Sequence, residues 1–188
     1  MIAGGSPAGL LLEAEQAPLL ARPFFASGDP GPIVAALAQV PELLEVAMPF
    51  LGTVLGPSGV DERTKEIVIV RTSALAGCRY CVQAHTPVAL DAGLSRDQVT
   101  ALRAETPVEE SFPDPRERAL ISWVDLVAGG GPVPDAARTA VRAHFADHVV
   151  VELTALVGAT LLLNRFATAL ALPTGAETLA RLAEEGLT

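Results

Sequence analysis

The stretch DERTKEIVIVRTSALAGCRYCVQAH, residues 61–85, decides how the rest of the chain is read. Asp61 stands where an N-cap belongs, because a carboxylate there accepts the unpaired N–H groups of a first helical turn. From it the spacing predicts a helix to about Ala76. Ile67, Val68, Ile69 and Val70 are consecutive and so face several directions of that helix. A helix that is apolar most of the way round is a buried one. Gly77 suits its end. A second helix follows at once, from near Cys78 to about Asp91, and Gly93 ends it.

The same kind of punctuation continues outward on both sides. Pro41 opens a helix to about Leu55, which GPSG at residues 56–59 breaks. Ser95 with Gln98 forms a capping-box pattern for a helix to about Ala104. Asp114 followed by Pro115 starts another, running to about Val127. Two more helices are expected over Pro134–Phe145 and Asp147–Leu170, and Thr174 with Glu177 repeats the capping-box pattern for a short last one. Gly and Pro cluster between residues 4 and 32, so residues 1–31 read as an irregular arm and residues 32–188 as a single helical domain. Half of the 188 residues are hydrophobic but only 4% are aromatic. Ala and Leu therefore do the packing, which favours helices over strands. The expected fold is all-α.

The formal net charge is −9 and the basic residues are scattered, which argues against nucleic acid as a partner. The longest apolar run, Leu153–Leu163, falls short of the roughly 20 residues that span a bilayer and reads as a buried core helix. The first residues, MIAGGSPAGLLLEAEQ, have no basic segment before their short apolar patch, so a cytoplasmic location is expected rather than export. A mean hydropathy of +0.40 is high for a soluble chain of this size. It leads us to expect a homo-oligomer, trimeric or dimer-based, that hides apolar surface between subunits.

An internal repeat is also visible. KEIVIVRTSALAGCRY, Lys65–Tyr80, aligns at a constant offset with VELTALVGATLLLNRF, Val151–Phe166. Glu66 matches Glu152, Arg79 matches Arg165 and Tyr80 matches Phe166, whereas Cys78 falls on Asn164, Cys81 on Ala167 and His85 on Ala171. The alignment suggests a degenerate helix-pair repeat whose second copy, Glu152 included, is scaffold. Trp123 and Phe166 read as core residues, and Arg71 as the partner of a nearby carboxylate.

The chemistry lies in Cys78, Cys81 and His85. These are the only two cysteines, and a bridge across so short a loop would constrain the unfolded chain little. In a reducing compartment such a pair is more often redox-active or metal-binding than structural. Spacings of three and four place all three side chains on one helix face. Cys78, expected in the first turn, gains from unpaired N–H groups and the helix dipole, which favour a thiolate. Helical Cα atoms three apart lie roughly 5–5.5 Å from each other, within reach of a disulfide. If the preceding helix folds back on this one, Glu66 lies about 16 Å before the turn and His85 about 10 Å beyond it. The carboxylate then meets the imidazole, with Cys81 one turn away. A carboxylate that orients a histidine to take a thiol proton is a means of activating a nucleophile. Zinc is disfavoured, because a structural site needs four ligands and His144 and His148 lie about sixty residues downstream. That pair itself reads as surface residues at a helix junction, with Asp147 as an N-cap between them.

Glu66, eleven intervening residues, then Cys-x-x-Cys-x-x-x-His resembles the signature of alkylhydroperoxidase D-like proteins in the carboxymuconolactone decarboxylase family. DAGLSRDQV and the later run from RAHF through VELT to NRF agree with it, so that the likeness covers roughly residues 32–173. The resemblance implies an all-α fold, homo-oligomers and thiol-dependent reduction of a peroxide or of a small or partner disulfide. It also implies a thiol or lipoyl-type reductant or a peroxiredoxin partner, and no cofactor or metal. Carried over, Cys81 attacks the peroxide, Cys78 resolves, and Glu66 with His85 relays the proton. Tyr80 departs from members that have a histidine there. A phenol with a pKa near 10 donates a hydrogen bond but is a poor base at pH 7. Two other readings remain: a non-redox lyase or isomerase of the decarboxylase type, and a binding protein that retains the motif.

Overall fold

Lys65 to Ser73 is the stretch on which the fold is centred. In the computed structural model, which describes residues 9–188, it belongs to a helix flanked on three sides. The helices are α1 (Pro32–Leu37), α2 (Pro41–Leu55), α3 (Glu62–Leu75), α4 (Arg79–Asp91), α5 (Arg96–Leu102), α6 (Val108–Ser111), α7 (Pro115–Ala128), α8 (Asp135–Arg142), α9 (Asp147–Ala169) and α10 (Ala176–Glu184). No strand occurs among the described residues, and the fold is all-α.

The local signals work as their chemistry requires. Asp61 accepts the Thr64 N–H at 2.8 Å, and Asp114 accepts that of Arg116 at 2.8 Å. Ser95 and Gln98 make both bonds of a capping box. Ile67, Val68, Ile69 and Val70 are all buried, so α3 has no free apolar face. It packs against α4, α7 and α9. Each such side chain contributes roughly 1.5–3 kcal/mol by leaving water, so this helix is the natural axis of the core. Trp123 on α7 is buried, its indole N–H donating to Thr154 Oγ1 at 3.2 Å. Arg71 grips Asp125 through two bonds of 2.6 and 3.0 Å, tying α3 to α7.

Several details depart from the sequence reading. The second copy of the repeat is not a helix pair. Residues 151–166 all lie within α9, which runs unbroken where the first copy turns between α3 and α4. The reason is one residue: Gly77 takes φ +65 at the turn, whereas Leu163 at the equivalent place would clash in that conformation and stays helical. Thr174 does not cap α10, because its hydroxyl donates to Gln83 at 2.8 Å and Gly175 takes the N-cap position. Asp147 is the first residue of α9 rather than its cap, and it pairs with Arg142 at 2.7 Å. Phe166 is only half-buried.

The described part of the arm, residues 9–31, has two short 3₁₀ turns, Ala14–Gln16 and Arg22–Phe25, and packs down on the domain. Ala17, Ala21 and Phe25 are buried beside α1 and Leu44 of α2, and the Leu12 N–H donates to the Ala35 carbonyl at 3.2 Å. The beginning of the arm, residues 1–8, lies outside the described residues. The apolar run Leu153–Leu163 belongs to the 23-residue α9, which is long and apolar enough to cross a membrane. Its buried positions, among them Leu153, Leu156, Val157, Thr160 and Leu163, follow helical spacing and face the core, while Val151 and Leu162 point outward.

Lys65 adds a polar tie at this centre. Buried at 4% exposure, its ammonium donates to the Val54 and Gly56 carbonyls at the end of α2 and pairs with Glu152 of α9 at 3.2 Å. Glu152 therefore has the structural task expected of it, and Ser58 donates a further hydrogen bond to it.

The turn at Gly77 is directly testable. Gly77→Ala puts a Cβ on a left-handed residue and should lower stability by about 1–2 kcal/mol. A denaturant midpoint unchanged from the parent would contradict the role assigned to this glycine.

Candidate active site

The short connection from α3 to α4 places the two sulfurs. Gly77 donates its N–H to Ala74 and Cys78 donates its own to Ser73, each at 3.0 Å, which closes α3 and turns the chain. Cys78 becomes the N-cap of α4, one residue earlier than the first-turn position expected from sequence. Its sulfur accepts the Cys81 N–H at 3.3 Å, as a capping oxygen would. The two sulfurs lie 2.7 Å apart and are almost wholly buried, Cys78 at 1% and Cys81 at 5% exposure. Both are free thiols. Ala36 of α1, Ala167 of α9 and Leu172 enclose them.

A sulfur pair this close shares a proton, and its surroundings decide where the charge rests. Cys78 is drawn down to about 6, first by the hydrogen bond shared with the Cys81 side chain and then by the Cys81 N–H and the side chains of Thr168 and Asn164, against the upward pull of burial. Cys81 is pushed up, by the proton it shares with Cys78 and by burial. The negative charge therefore belongs on Cys78, at the positive end of α4. Burial and the nearby cysteine charges push the Tyr80 phenol up as well, which keeps it a donor.

Glu66 and His85 meet as the helix-hairpin argument requires. The Glu66 oxygens lie 3.1 and 3.2 Å from His85 Nδ1. The carboxylate is buried at 6% side-chain exposure, while the imidazole is 31% exposed. With Nδ1–H directed at a carboxylate, Nε2 is left as the basic nitrogen. Cys81 and His85 are four apart on α4 and so share its face. Tyr80 has a different setting. It lines an apolar cleft of about 460 Å³ together with Ile33, Met48, Leu51, Leu55 and Leu163. Ile33 and Tyr80 also pack against the wall around the sulfurs, so the cleft adjoins the thiol site.

Asn164, Thr168 and Ser73 were not picked out by sequence reasoning. The one available signal was the repeat, which sets Asn164 in register with Cys78, although register says nothing about contact. His144 and His148 are both exposed near the α8–α9 junction and lie apart from this site. Among the described residues no three His, Cys, Asp or Glu side chains converge as a metal site would require.

The assignment of charge has a pH consequence. Cys78 is deprotonated above about 6 and protonated below it. Thiolate absorbance of the reduced protein should therefore fall as pH drops through about 6. In Cys78→Ser that transition should vanish, and in Cys81→Ala it should move up because the side-chain donor to Cys78 is gone. A reduced protein with no thiolate signal until pH 8 or above would contradict this placement.

Comparison with known proteins agrees with fold and motif together. The model of the carboxymuconolactone decarboxylase family matches residues 41–126, a span that includes Glu66, both cysteines and His85. Protein YnjA of Escherichia coli (strain K12) is 30% identical over 68% of this chain and 69% of its own length. A crystal structure from Agrobacterium tumefaciens, described as a protein of unknown function and a candidate antioxidant-defence protein AhpD, is 30% identical. It covers 74% of this chain and 95% of its own, with a TM-score of 0.66. The alkylhydroperoxidase AhpD core of a peroxidase-related protein from Ralstonia eutropha JMP134 superposes at a TM-score of 0.78. It covers 89% of this chain and 92% of its own, and at 21% identity it speaks for the fold alone. The chain belongs to the carboxymuconolactone decarboxylase family, as one of its alkylhydroperoxidase D-like members.

Proposed function

We propose that the protein is a thiol peroxidase in which Cys81 attacks a hydroperoxide, Cys78 resolves the product, and Glu66 with His85 manages the protons. The observation that carries this reading is the Glu66–His85 pair: Cys81 holds the shared proton and lies one turn from an imidazole oriented by a buried carboxylate, the base that can remove it. Cys78 carries the charge at rest, so direct attack by Cys78 is the competing outcome that the two cysteine variants separate.

The steps balance as follows. His85 takes the Cys81 proton, and the Cys81 thiolate attacks the outer oxygen of the hydroperoxide. The O–O bond breaks, a sulfenic acid forms at Cys81, and the alkoxide leaves as an alcohol with the proton from His85. The Cys78 thiolate then attacks the Cys81 sulfur. The S–O bond breaks, hydroxide takes up a proton to leave as water, and a disulfide remains. A dithiol or lipoyl-type reductant supplies the two electrons and two protons that return the disulfide to the starting dithiol; a partner peroxiredoxin would instead receive two electrons from the reduced pair when its own disulfide is reduced. The cleft beside Tyr80 suits the apolar body of an organic hydroperoxide, with the phenol donating to its oxygen. Tyr80 acts here as a donor, because its phenol is held protonated.

Each cysteine variant leaves a different product. Cys78→Ser should react with peroxide and stop as a sulfenic acid at Cys81, a mass gain of one oxygen. Cys81→Ser should react no faster than an ordinary buried thiol. Glu66→Gln and His85→Ala should slow the reaction of Cys81 about 10²-fold or more, yet still form the disulfide with a strong oxidant. Reversed behaviour of the two cysteine variants would exchange their roles, and absence of any difference from the parent would remove the peroxidase reading.

We also propose that the chain self-associates. Supporting this, Val46 and Phe50 on α2 and Val151 and Leu162 on α9 are exposed apolar residues, and α2 packs against α9. Sedimentation at micromolar concentration should show a dimer-based or trimeric species. A 19.4 kDa monomer alone would rule this out.

A further inference from the structure

Cys78 and Cys81 are 1% and 5% exposed, yet thiol–disulfide exchange requires a sulfur of one molecule to touch a sulfur of the other. A bulky partner therefore reaches the pair only if part of the surrounding wall moves. The sulfurs lie outside the main core around α3, α7 and α9. They form a small cluster with Ala36, Ala167 and Leu172, against which Leu11 of the arm, Ile33 and Phe166 pack. The same three residues pack on a second small cluster, in which Ala17, Ala21 and Phe25 of the arm meet α1 and Leu44. The arm is thus continuous with the wall of the thiol site.

The arm holds itself together better than it is held down. Backbone bonds from Gln16 to Glu13 and from Phe24 to Ala21, each 3.0 Å, close its two turns. Among the described residues, residues 9–27 bond to the rest of the protein only at two places. The Leu12 N–H donates to Ala35, and Gln39 Nε2 donates to the carbonyls of Gly9 and Leu10 at 3.0 and 3.4 Å. Two of the three buried anchors are alanines, which bury little apolar surface, while Leu19 and Leu20 face solvent. A cleft of about 600 Å³ stays open along the seam, with Leu11, Leu12 and Phe25 on one side and Pro32, Ala35 and Pro173 on the other. Shallow anchoring and exposed hydrogen bonds mark a segment that opens more readily than the core. Its link to α1 runs from Gly28 to Gly31, at φ +109 and +84, a region that glycine enters without steric cost.

We propose that residues 9–27 are a gate over the Cys78–Cys81 pair, which lifts as a unit on the Gly28–Gly31 link to admit a bulky disulfide or dithiol partner to the sulfurs. Lifting withdraws Leu11 from the thiol cluster and leaves the α3–α4 hairpin in place. The cleft beside Tyr80 contains no residue of this segment, so a small reagent entering there does not need the gate. The gate sorts reagents by size. For its role in catalysis this inference rests on the thiol peroxidase reading, but access to the thiols is tested without any peroxide.

The reduced full-length protein is treated with dithiobis(nitrobenzoate), a bulky aromatic disulfide. One thiolate displaces a thionitrobenzoate anion and forms a mixed disulfide. The other cysteine, giving its proton to solvent, displaces the second anion and leaves the Cys78–Cys81 disulfide. In the parent the rate should level off with rising reagent, at the rate of gate opening. Below that plateau Leu11→Ala should speed release about tenfold. Ala21→Asp should speed it about 10²-fold or more, because a charge in the second cluster lifts the arm without altering the thiol cluster. Gln39→Ala should give a smaller increase. Methyl methanethiosulfonate, a small reagent that leaves a methyl disulfide and releases methanesulfinate, should label parent and variants at similar rates. Circular dichroism establishes that each variant is folded; if Ala21→Asp is not, Leu11→Ala and Gln39→Ala carry the test. Folded variants that react with the aromatic disulfide like the parent overturn the inference. Equal acceleration of both reagents, the mark of a site loosened as a whole, overturns it too. Size-selective acceleration in a protein inert to peroxide supports the gate and removes the peroxidase reading. Full peroxide reactivity with no effect of the arm variants on either reagent does the reverse.

Discussion

A carboxylate on a helix with no free face has to find its partner inside the protein, and Glu66 finds His85. α3 is buried along most of its length, from Thr64 to Ser73, and three of its charged groups are answered by neighbouring elements. Glu66 is answered by α4, Lys65 by the end of α2 and by α9, and Arg71 by α7. The requirement to satisfy buried polar groups thereby fixes the rotation of α3 about its axis. That rotation fixes the level at which α4 lies against it, since His85 must stand opposite Glu66. Once α4 is set, the thiols one and two turns before His85 are set too.

The difference in setting between the two cysteines follows from where the turn ends. Had α4 begun one residue earlier, Cys78 would lie inside the first turn and point along the helix surface. As the N-cap it turns its sulfur toward the free N–H of Cys81. The two thiols of one motif thus differ in protonation before any substrate arrives. In the proposed peroxidase reaction, a resolving thiol that is already deprotonated would shorten the life of a sulfenic acid and limit its exposure to further oxidation. A pair matched in pKa would leave the sulfenic acid waiting for a second deprotonation.

Much of the fold is legible in the sequence because its signals are local. Asp61, Ser95 and Asp114 cap helices through side-chain bonds spanning two or three residues, and the apolar run in α3 announces its burial. Thr174 and Asp147 carry the same local grammar yet are used by distant partners, Gln83 and Arg142. Tertiary contacts took these side chains over. The Glu66–His85 contact was readable because helix geometry fixes levels along a hairpin. The contacts of Asn164 were not, because nothing in the sequence says which face of α9 meets the α3–α4 turn.

The repeat takes on a different meaning once α9 is seen as one helix. Glu152 and Asn164 occupy the places of Glu66 and Cys78, and neither is inert. Glu152 pairs with Lys65, one residue before Glu66, and Asn164 bonds Ser73, whose carbonyl receives the Cys78 N–H. Each counterpart in the second copy thus anchors a residue next to its match in the first, or supports the match itself. α3 and α9 pack against each other, so matched positions lie at similar levels and Glu152 and Asn164 stand where they can serve α3. Leu163 in place of Gly77 is what allows this. By keeping α9 straight past the turn of its neighbour, it carries Asn164 to Ser73 and Ala167 against the two cysteines.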